Sequence, residues 1–366
     1  MKIDRIELRE VRMQLTEPFQ ISSGVAYDRR VMVLALSCDG ATGWGECVAG
    51  EYPDYSYETI QTAWPMLTEL MLPKVLGIEA STARGVSDSI RWVRGHRMAK
   101  AAIEMAAHDL EAKLNGESLA EHLGGVRDAV RVGVSIGLQP TDEALYQKVG
   151  DFVEQGYSRI KIKIKPGRDI EMLAGLREKF PDVPLMADAN SAYTLADASK
   201  LKALDSLDLM MIEQPLAHDD YLDHSRLQET LETPVCLDES IRSVRDSELA
   251  IEIGAGRIIN IKPGRVGGFE SSKAIHDLCV ASDMPVWCGG MLESGVGRAH
   301  NVALATLPGF SLPGDISSSR RYWHEDIVDP EFVMVDGEMQ VPSGPGIGVE
   351  IKMDLLEERT VRKEVF

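Results

Sequence analysis

Five charged residues recur along the middle of the chain at an almost constant interval. They are Lys163, Asp188, Glu213, Asp238 and Lys262, spaced by 25, 25, 25 and 24 residues. Each ends a short apolar run, and a repeat of this length is typical of one strand followed by one helix. We therefore expect the five side chains to occupy equivalent positions on neighbouring strands of one sheet.

The three acids of this series predict a metal site. Carboxylates brought close together raise one another's pKa, so Asp188, Glu213 and Asp238 would need a cation to stay ionised. Ligands that are all oxygen suit a hard divalent ion, with Mg²⁺ the first choice and Mn²⁺ a substitute. The eight histidines show no H-x-x-x-H or H-E-x-x-H spacing, which disfavours a zinc site.

The lysines indicate acid–base chemistry. Lys161 and Lys163 are two residues apart and face one side of their strand, which is the interior if the neighbouring isoleucines pack outward. Like charges buried beside a cation are expected to lower lysine pKa values, and a neutral amine can remove a proton. A carboxylate substrate between Lys163 and Lys262 would then lose its α-proton while the metal stabilises the enediolate. The alternative is that the lysines only balance the charge of the acids.

The elements that must position these residues change in character along the chain. Up to about Val48 the pattern is that of antiparallel strands, with Asp39-Gly40 predicting a hairpin turn. Helical spacing follows over Tyr57–Leu72 and Met98–Leu114. This first part is expected to be an α+β unit.

From about residue 130 short apolar runs alternate with helical segments, which predicts an α/β fold. Eight strands alternating with helices favour a parallel sheet closed into a TIM-type (β/α) barrel, whose active site lies at the carboxyl ends of the strands. The predicted strands are Val130–Gly137, Arg159–Ile164, Pro184–Asn190, Leu207–Gln214, Pro234–Glu239, Ile258–Lys262, Pro285–Gly289 and Phe310–Gly314. Helices between them include Asp142–Glu154, Ile170–Phe180, Leu195–Leu204, Val244–Ile253 and Ser271–Ala281. The remaining tail is expected to return to the first part.

Composition restricts the partners. The 366-residue chain has a formal charge of −19 and 44% hydrophobic residues, so it can bury a sizeable core. The acidic balance works against binding to nucleic acid or to an anionic membrane surface and favours a small-molecule partner. The N-terminus lacks the apolar run of a signal peptide, and the five scattered cysteines include no C-x-x-C pair. We therefore expect a cytoplasmic protein with buried thiols.

Six segments of the chain match one known family. They are Lys161-Ile-Lys163, Asp188-Ala-Asn190, Ile212-Glu-Gln-Pro215, Leu237-Asp-Glu-Ser240, Asn260-Ile-Lys-Pro-Gly-Arg-Val-Gly-Gly268 and Trp287-Cys-Gly-Gly-Met-Leu-Glu-Ser294. In these segments the chain resembles the enolase superfamily, its muconate-cycloisomerase-like subgroup, and the branch of o-succinylbenzoate synthases and N-succinylamino acid racemases. The resemblance implies an enolase-like, modified (β/α)7β barrel over residues 126–319. An α+β capping domain would span residues 1–125, joined by the tail 320–366.

The resemblance also implies a role for each residue. Lys163 would be the base that removes the α-proton, with Lys262 the acid/base or electrostatic partner on the opposite face and Mg²⁺ on the three acids, a pattern of pKa tuning already associated with this superfamily. Substrate contacts are expected from Ser135, Lys161, Asn190, Gly290 and Met291. Glu239 and Arg265 would hold these groups in place without contacting the substrate. Arg265 is also associated with racemase activity. First-domain loops containing Phe19, Gly24 and Tyr55 would cover the substrate.

Two reactions follow from the resemblance. One is dehydration of 2-succinyl-6-hydroxy-2,4-cyclohexadiene-1-carboxylate to 2-succinylbenzoate, a step of menaquinone biosynthesis. The alternative is racemisation of N-succinyl or N-acyl amino acids by proton transfer between Lys163 and Lys262. Both begin with the same enediolate, so the motifs do not rank them.

Other readings are weaker. Mandelate racemases would place a His on the seventh strand, where this chain has Trp287-Cys288-Gly289, and dipeptide epimerases an Asp-x-Asp on the eighth, where this chain has only Asp315. Muconate-type cycloisomerisation stays open, as does a non-catalytic barrel that serves as a scaffold. A homo-oligomer is expected by analogy with the family.

Overall fold

A computed structural model describes residues 1–20 and 24–366. The chain opens with an antiparallel sheet and the helices that cover it. The strands are β1 (Arg5–Gln20), β2 (Val25–Cys38) and β3 (Ala41–Cys47), and the helices are α1 (Ile60–Pro65), α2 (Leu72–Val75), α3 (Ala83–Asp88), α4 (Arg97–Asn115) and α5 (Leu119–Leu123). A π-helical segment, Met66–Met71, joins α1 to α2.

The predicted hairpin between β2 and β3 is confirmed. Asp39 and Gly40 have φ angles of 52° and 79°, the left-handed conformation that a tight hairpin turn requires. Helix α4 packs directly on β3, because a Cβ at Gly45 would lie only 2.0 Å from the carbonyl oxygen of Ala102. The close contact fixes the longest helix of this unit against its sheet.

The second part alternates strands and helices, and the predicted α/β class is confirmed. Seven parallel strands form one sheet in chain order, β5 to β11. The strands of this sheet are β5 (Val134–Ile136), β6 (Ile160–Lys163), β7 (Leu185–Asp188), β8 (Ile212–Glu213), β9 (Val235–Leu237), β10 (Ile258–Ile261) and β11 (Val286–Cys288). A short strand outside this sheet, β4 (Ala129–Arg131), precedes them. The helices are α6 (Asp142–Glu154), α7 (Ile170–Lys179), α8 (Ala198–Leu201), α9 (Leu222–Thr230), α10 (Val244–Glu252), α11 (Pro263–Val266), α12 (Phe269–Ala281) and α13 (Gly295–Ala305).

The eighth predicted strand, Phe310–Gly314, links the two edges of this sheet without forming a regular strand. Phe310 makes one parallel bridge to Val286, and Gly314 makes one to Val132. The next residue, Asp315, donates its N–H to the carbonyl of Cys288 at 2.9 Å. Seven strands and one extended segment therefore complete the barrel.

Three predicted boundaries differ from the structure. The strand expected over Leu207–Gln214 is only Ile212–Glu213, and its first two expected residues are the end of a 3₁₀ segment, Lys202–Leu207, and the left-handed Asp208. The helix expected over Leu195–Leu204 is divided into 3₁₀ turns and the short α8. The strand expected over Val130–Gly137 is interrupted, because the backbone N–H groups of residues 132 and 133 donate to residues 337 and 314.

The tail contacts both parts. It contains a 3₁₀ turn (Ser319–Arg321), β12 (Val328–Asp329), β13 (Met334–Val335), β14 (Glu338–Gln340), β15 (Glu350–Ile351), α14 (Met353–Arg359) and β16 (Thr360–Val365). Strand β14 pairs with β4, whereas β16 pairs with β1 and completes the first sheet in the order β16-β1-β2-β3. The last strand thus returns as expected, while the domain bounds stay a prediction.

The two faces of the barrel strands are packed differently. Ile160, Ile162 and Ile164 lie in the large core shared with the helices, as the alternation predicted. A separate cluster fills the interior below the acids: Met186, Met211, Cys236, Ile258 and Trp287. All five cysteines are buried and unpaired, as expected. Within the described parts of the chain, no helix combines the length and the apolar character needed to cross a membrane.

Candidate active site

The charged residues of the sequence repeat form a row at the carboxyl ends of the strands. Lys163 and Asp188 are Cα partners on β6 and β7, and Asp188 and Glu213 are partners on β7 and β8. At the next strand the register steps, because Glu213 pairs with Cys236 and Asp238 lies two residues further along. The expectation of equivalent positions is right for the first three residues only.

Lys262 is displaced further in the same direction. Leu237 is the Cα partner of Ile259, so Asp238 is level with the residue after Ile259. Lys262 lies two residues beyond that level. A closed barrel requires such a stagger between its strands. Although the five residues are evenly spaced in sequence, Asp238 and then Lys262 lie progressively further toward the carboxyl ends of the strands.

Lysine side chains link the first two acids. The Nζ of Lys163 lies 2.6 Å from Oδ2 of Asp188 and 2.7 Å from Oδ1 of Asn190. The Nζ of Lys161 lies 3.3 Å from Oδ2 of Asp188 and 3.0 Å from Oε2 of Glu213. Both lysines and both acids are buried, so these contacts are shielded from water.

An amide links the second acid to the third. Nδ2 of Asn260 donates to Oε1 of Glu213 at 2.7 Å and to Oδ1 of Asp238 at 3.2 Å. Asp238 also pairs with Lys262, whose Nζ lies 2.8 Å from Oδ2, and with the guanidinium of Arg265. The row from Lys163 to Lys262 is thus continuous through shared hydrogen-bond donors.

Charge and burial oppose each other along this row. Burial lowers the pKa of Lys161, but the carboxylates around it raise it above its ordinary value. Burial likewise lowers the pKa of Lys262, and Tyr55 and Glu213 more than offset this. The carboxylates and Tyr55 therefore outweigh burial at these two lysines. The lowered pKa expected for Lys161 and Lys163 beside a bound cation stays a prediction.

The acids show the complementary shifts. Burial raises the pKa of Glu213, and the negative charge of Asp188 raises it further. Burial also acts to raise the pKa of Asp188, yet Lys163 and Lys161 hold it below its usual range. Asp188 therefore holds its negative charge readily, and that charge disfavours ionisation of Glu213 beside it.

The three predicted ligands fit a divalent cation in their donor chemistry. Asp188, Glu213 and Asp238 are buried carboxylates on adjacent strands, and a cation would relieve the charge crowding that raises the pKa of Glu213. Asp238 faces Lys262 and Arg265, and among the described residues the three acids do not form a group whose ligand oxygens all lie within 4.8 Å of one another. Holding one ion requires Asp238 to exchange its cationic partners for the ion.

The other predicted residues surround the row. Nδ2 of Asn190 donates to Oε1 of Glu239 at 3.0 Å, and Oε2 of Glu239 is buried with no hydrogen-bond partner in the part of the chain that the structure describes. Arg265 is held by the carbonyl groups of Ile241 and Asn260 at 2.7 and 2.6 Å. Arg265 is thereby fixed with its guanidinium against Asp238.

A cavity of about 530 Å³ opens over the row. Both candidate catalytic lysines line it, as do the five predicted substrate contacts, Ser135, Lys161, Asn190, Gly290 and Met291. The Oγ of Ser135 is buried and has no hydrogen-bond partner among the described residues. The structure therefore brings the predicted lysines and substrate contacts to one space.

Residues of the first part line this cavity, among them Phe19, Gly24 and Tyr55. Gly24 and Tyr55 lie outside the regular elements, as expected, but Phe19 belongs to β1 and pairs with Ala26 of β2, so its assignment to a loop is wrong. The hydroxyl of Tyr55 is 2.9 Å from Nζ of Lys262 and 3.0 Å from Nη1 of Arg265. A residue outside the barrel thus contacts the barrel's charged row directly.

Comparison with known proteins agrees with this geometry. Residues 4–124 match the family described as mandelate racemase / muconate lactonizing enzyme, N-terminal domain, and residues 144–355 match the family described as enolase C-terminal domain-like. The chain belongs to the enolase superfamily.

Individual superfamily members resemble it along their whole length. The o-succinylbenzoate synthase of Geobacillus kaustophilus is 50% identical, covering 100% of this chain and 98% of the relative. The N-succinylamino acid racemase of Thermus thermophilus is 49% identical, with 99% and 98% covered. A crystal structure of an enolase superfamily member from Listeria innocua superposes with a TM-score of 0.97 at 43% identity, covering 100% of this chain and 99% of that one.

Sequence reasoning missed two residues that contact the predicted site residues. Asn260 links two acids, and its signal was its position two residues before Lys262 on the same face of one strand. Asp315 lies 2.5 Å from Nζ of Lys161 and 2.7 Å from Nη1 of Arg159. Its signal was that it directly follows the eighth predicted strand, where barrel enzymes place functional groups.

Proposed function

We propose that this enolase superfamily member removes the proton α to a carboxylate, with Lys163 as the base. The proposed reaction is dehydration of 2-succinyl-6-hydroxy-2,4-cyclohexadiene-1-carboxylate to 2-succinylbenzoate, in menaquinone biosynthesis. The observation that carries the proposal is the pair of buried lysines, Lys163 and Lys262, at opposite ends of a row of acids beneath one cavity. A synthase of this name that is 50% identical over its length supports it.

The side chains divide the work of this reaction. Lys163 takes the α-proton and then gives it to the departing hydroxyl on the same face, which leaves as water while the ring becomes aromatic. Lys262 balances the negative charge of the enediolate from the other side. Lys161, held between Asp188, Glu213 and Asp315, places a positive charge near the substrate carboxylate.

We propose Mg²⁺, with Mn²⁺ as a substitute, as the ion held by Asp188, Glu213 and Asp238. When bound, it supplies electrostatic stabilisation of the enediolate charge. Ser135, Asn190, Gly290 and Met291 line the cavity and are proposed to orient the substrate, while Glu239 and Arg265 hold Asn190 and Asp238 in place.

A second candidate function is racemisation of N-succinyl or N-acyl amino acids. A lysine at each end of the row favours it, because Lys163 and Lys262 can each serve one enantiomer. A racemase that is 49% identical over its length supports it. Arg265 is the residue that we associate with this activity.

One comparison of substrates tests both proposals. The kcat/KM of a single Mg²⁺-loaded preparation is measured on the cyclohexadiene precursor and on a panel of N-succinyl amino acids. Activity on the precursor alone indicates a dedicated synthase, and comparable efficiency on an amino acid makes racemisation a genuine activity. Inactivity on both contradicts the proposal and returns muconate-type cycloisomerisation or a non-catalytic scaffold to consideration.

We also propose a cytoplasmic homo-oligomer with a capping domain over 1–125 and 320–366 and a barrel over 126–319. Five buried, unpaired cysteines suit a reducing compartment. Light scattering after size exclusion measures the oligomeric state, and limited proteolysis measures the domain bounds.

A further inference from the structure

A second group of side chains that could bind a metal ion lies in the first part of the chain, away from the proposed active site. His108 and Glu111 are on α4, and His122 is on α5. Nδ1 of His108 lies 3.0 Å from Nε2 of His122, and Oε2 of Glu111 lies 4.0 Å from the same nitrogen. The three ligand atoms fall within 4.8 Å of one another. A tetrahedral ion with bonds of about 2.0–2.1 Å needs ligand atoms about 3.3 Å apart, a spacing that these distances bracket.

Each histidine presents its other ring nitrogen to a carboxylate. Nδ1 of His122 is 2.9 Å from Oε1 of Glu117. Nε2 of His108 is 3.4 Å from Oε1 of Glu104 but makes no well-formed hydrogen bond, although only 6% of His108 is exposed. In histidines that bind metals, the ring nitrogen that does not bind the ion almost always donates a hydrogen bond to a carboxylate, a backbone carbonyl or water. This hydrogen bond fixes the orientation of the ring and raises its basicity.

The carboxylates of this group are themselves held in place. Oε2 of Glu111 accepts the backbone N–H of Ala83 at 2.6 Å. The oxygens of Glu104 accept the backbone N–H groups of Phe269 and Glu270, both at 2.8 Å, at the start of helix α12 of the barrel. These hydrogen bonds position the carboxylates without an ion. Glu104, the acid next to His108, also links the first part of the chain to the barrel.

We propose that His108, Glu111 and His122 form a binding site for a borderline divalent transition metal, with Zn²⁺ preferred and Co²⁺ or Ni²⁺ able to replace it. Two imidazoles and one carboxylate are ligands that Zn²⁺ uses in sites with an open fourth position. Mg²⁺ favours oxygen ligands, so the proposed active site and this cluster select different ions. The histidine spacing in sequence gave no zinc signal because the ligands come from two helices.

The proposed site joins α4 to α5 next to the place where α4 contacts helix α12 of the barrel. His108 packs edge-on against Phe269 of α12 with ring centroids 5.6 Å apart. An ion on His108 and His122 would cross-link the two helices next to that contact, so metal binding is expected to raise the unfolding temperature.

The test counts metal ions with the active site already occupied. The full-length protein is saturated with Mg²⁺ and titrated with Zn²⁺ by calorimetry, and Co²⁺ is added separately to record the visible absorption typical of tetrahedral coordination. We expect one Zn²⁺ per chain and a tetrahedral Co²⁺ spectrum. In His122→Gln, the Kd for Zn²⁺ should rise by at least about 10-fold and the Co²⁺ band should be lost.

Matched variants keep the result decisive. Glu111→Gln repeats the test in case His122→Gln fails to fold, which circular dichroism reports. His324→Gln, at an exposed histidine, should bind Zn²⁺ as the wild type does. Equal Zn²⁺ affinity in the wild type, His122→Gln and Glu111→Gln would overturn the proposal, as would the absence of Zn²⁺ binding in the presence of Mg²⁺.

Discussion

Lys163 and Asp188 are Cα partners on adjacent parallel strands, and Nζ of Lys163 lies 2.6 Å from Oδ2 of Asp188. The proposed base and a proposed metal ligand are thus placed against each other by the hydrogen-bond register of the sheet. Strands hold functional groups more rigidly than loops do. The same register couples their chemistry, because burial raises the pKa of Asp188 while Lys163, together with Lys161, lowers it below its usual range.

Replacing the proposed base should abolish turnover. Lys163→Ala removes the amine that accepts the α-proton, so kcat on the active substrate should fall by about 10²–10⁴-fold. Lys165→Ala, two residues further along the chain and outside the row, is the matched control and should keep the wild-type rate. If Lys163→Ala retains most of its activity, Lys163 is not the base.

The two lysines should act on opposite faces of an amino acid substrate. In Lys262→Ala, racemisation of an active N-succinyl amino acid should fall by about 10²-fold or more. Exchange of the α-proton with D₂O should persist for one enantiomer, because Lys163 still reaches it. Proton NMR measures the exchange of each enantiomer, and exchange of both at wild-type rates would contradict a two-lysine mechanism.

The site could be predicted from sequence where chain spacing determines position. The repeat found the five charged residues, and the alternation in Lys161-Ile-Lys163 correctly placed the isoleucines outward. The repeat did not predict the two-residue register step at Asp238, because the stagger of a barrel is set by pairing between strands. Asp315 and the cluster of His108 and His122 were missed for a related reason, since they depend on segments that meet only after folding.

The third acid should govern metal affinity. Asp238→Asn removes one anionic ligand, so the Kd for Mg²⁺ measured by calorimetry should rise by at least the roughly 10–100-fold seen when groups that support metal ligands are lost. Asp182→Asn changes an exposed acid by the same chemistry and should leave the affinity unchanged. Unaltered Mg²⁺ binding in Asp238→Asn would favour the non-catalytic scaffold.

A glycine beside the row should be intolerant of a side chain. A Cβ at Gly289 would lie 2.7 Å from Cε of Lys262 and 2.2 Å from Oδ1 of Asn260, so both side chains must move. A displacement of about 1 Å in a catalytic group can cost about 10²-fold in rate, and we expect Gly289→Ala to lose activity on this scale. Gly150→Ala adds the same methyl group where the nearest atom is 3.8 Å away, and its kcat should match the wild type.

Glu46 should make stability fall as the pH rises. Complete burial raises the pKa of this carboxyl to about 8, against the hydrogen bonds it accepts from Ser294 and Gly297. The unfolded chain releases the proton near the ordinary value of 4.5, so between these values the folded state holds more protons and rising pH favours unfolding. The contribution is complete below the unfolded pKa and is lost as the pH approaches 8.

Glu46→Gln removes this titration while retaining an oxygen acceptor. The difference in unfolding free energy between wild type and variant should therefore change by up to about 1.4 kcal/mol per pH unit across this window, in the direction that disfavours the wild type at high pH. Urea denaturation of both proteins at several pH values measures it. Glu229→Gln, at an exposed acid, should follow the wild-type pH profile. Parallel profiles for wild type and Glu46→Gln would show that Glu46 ionises normally in the folded protein.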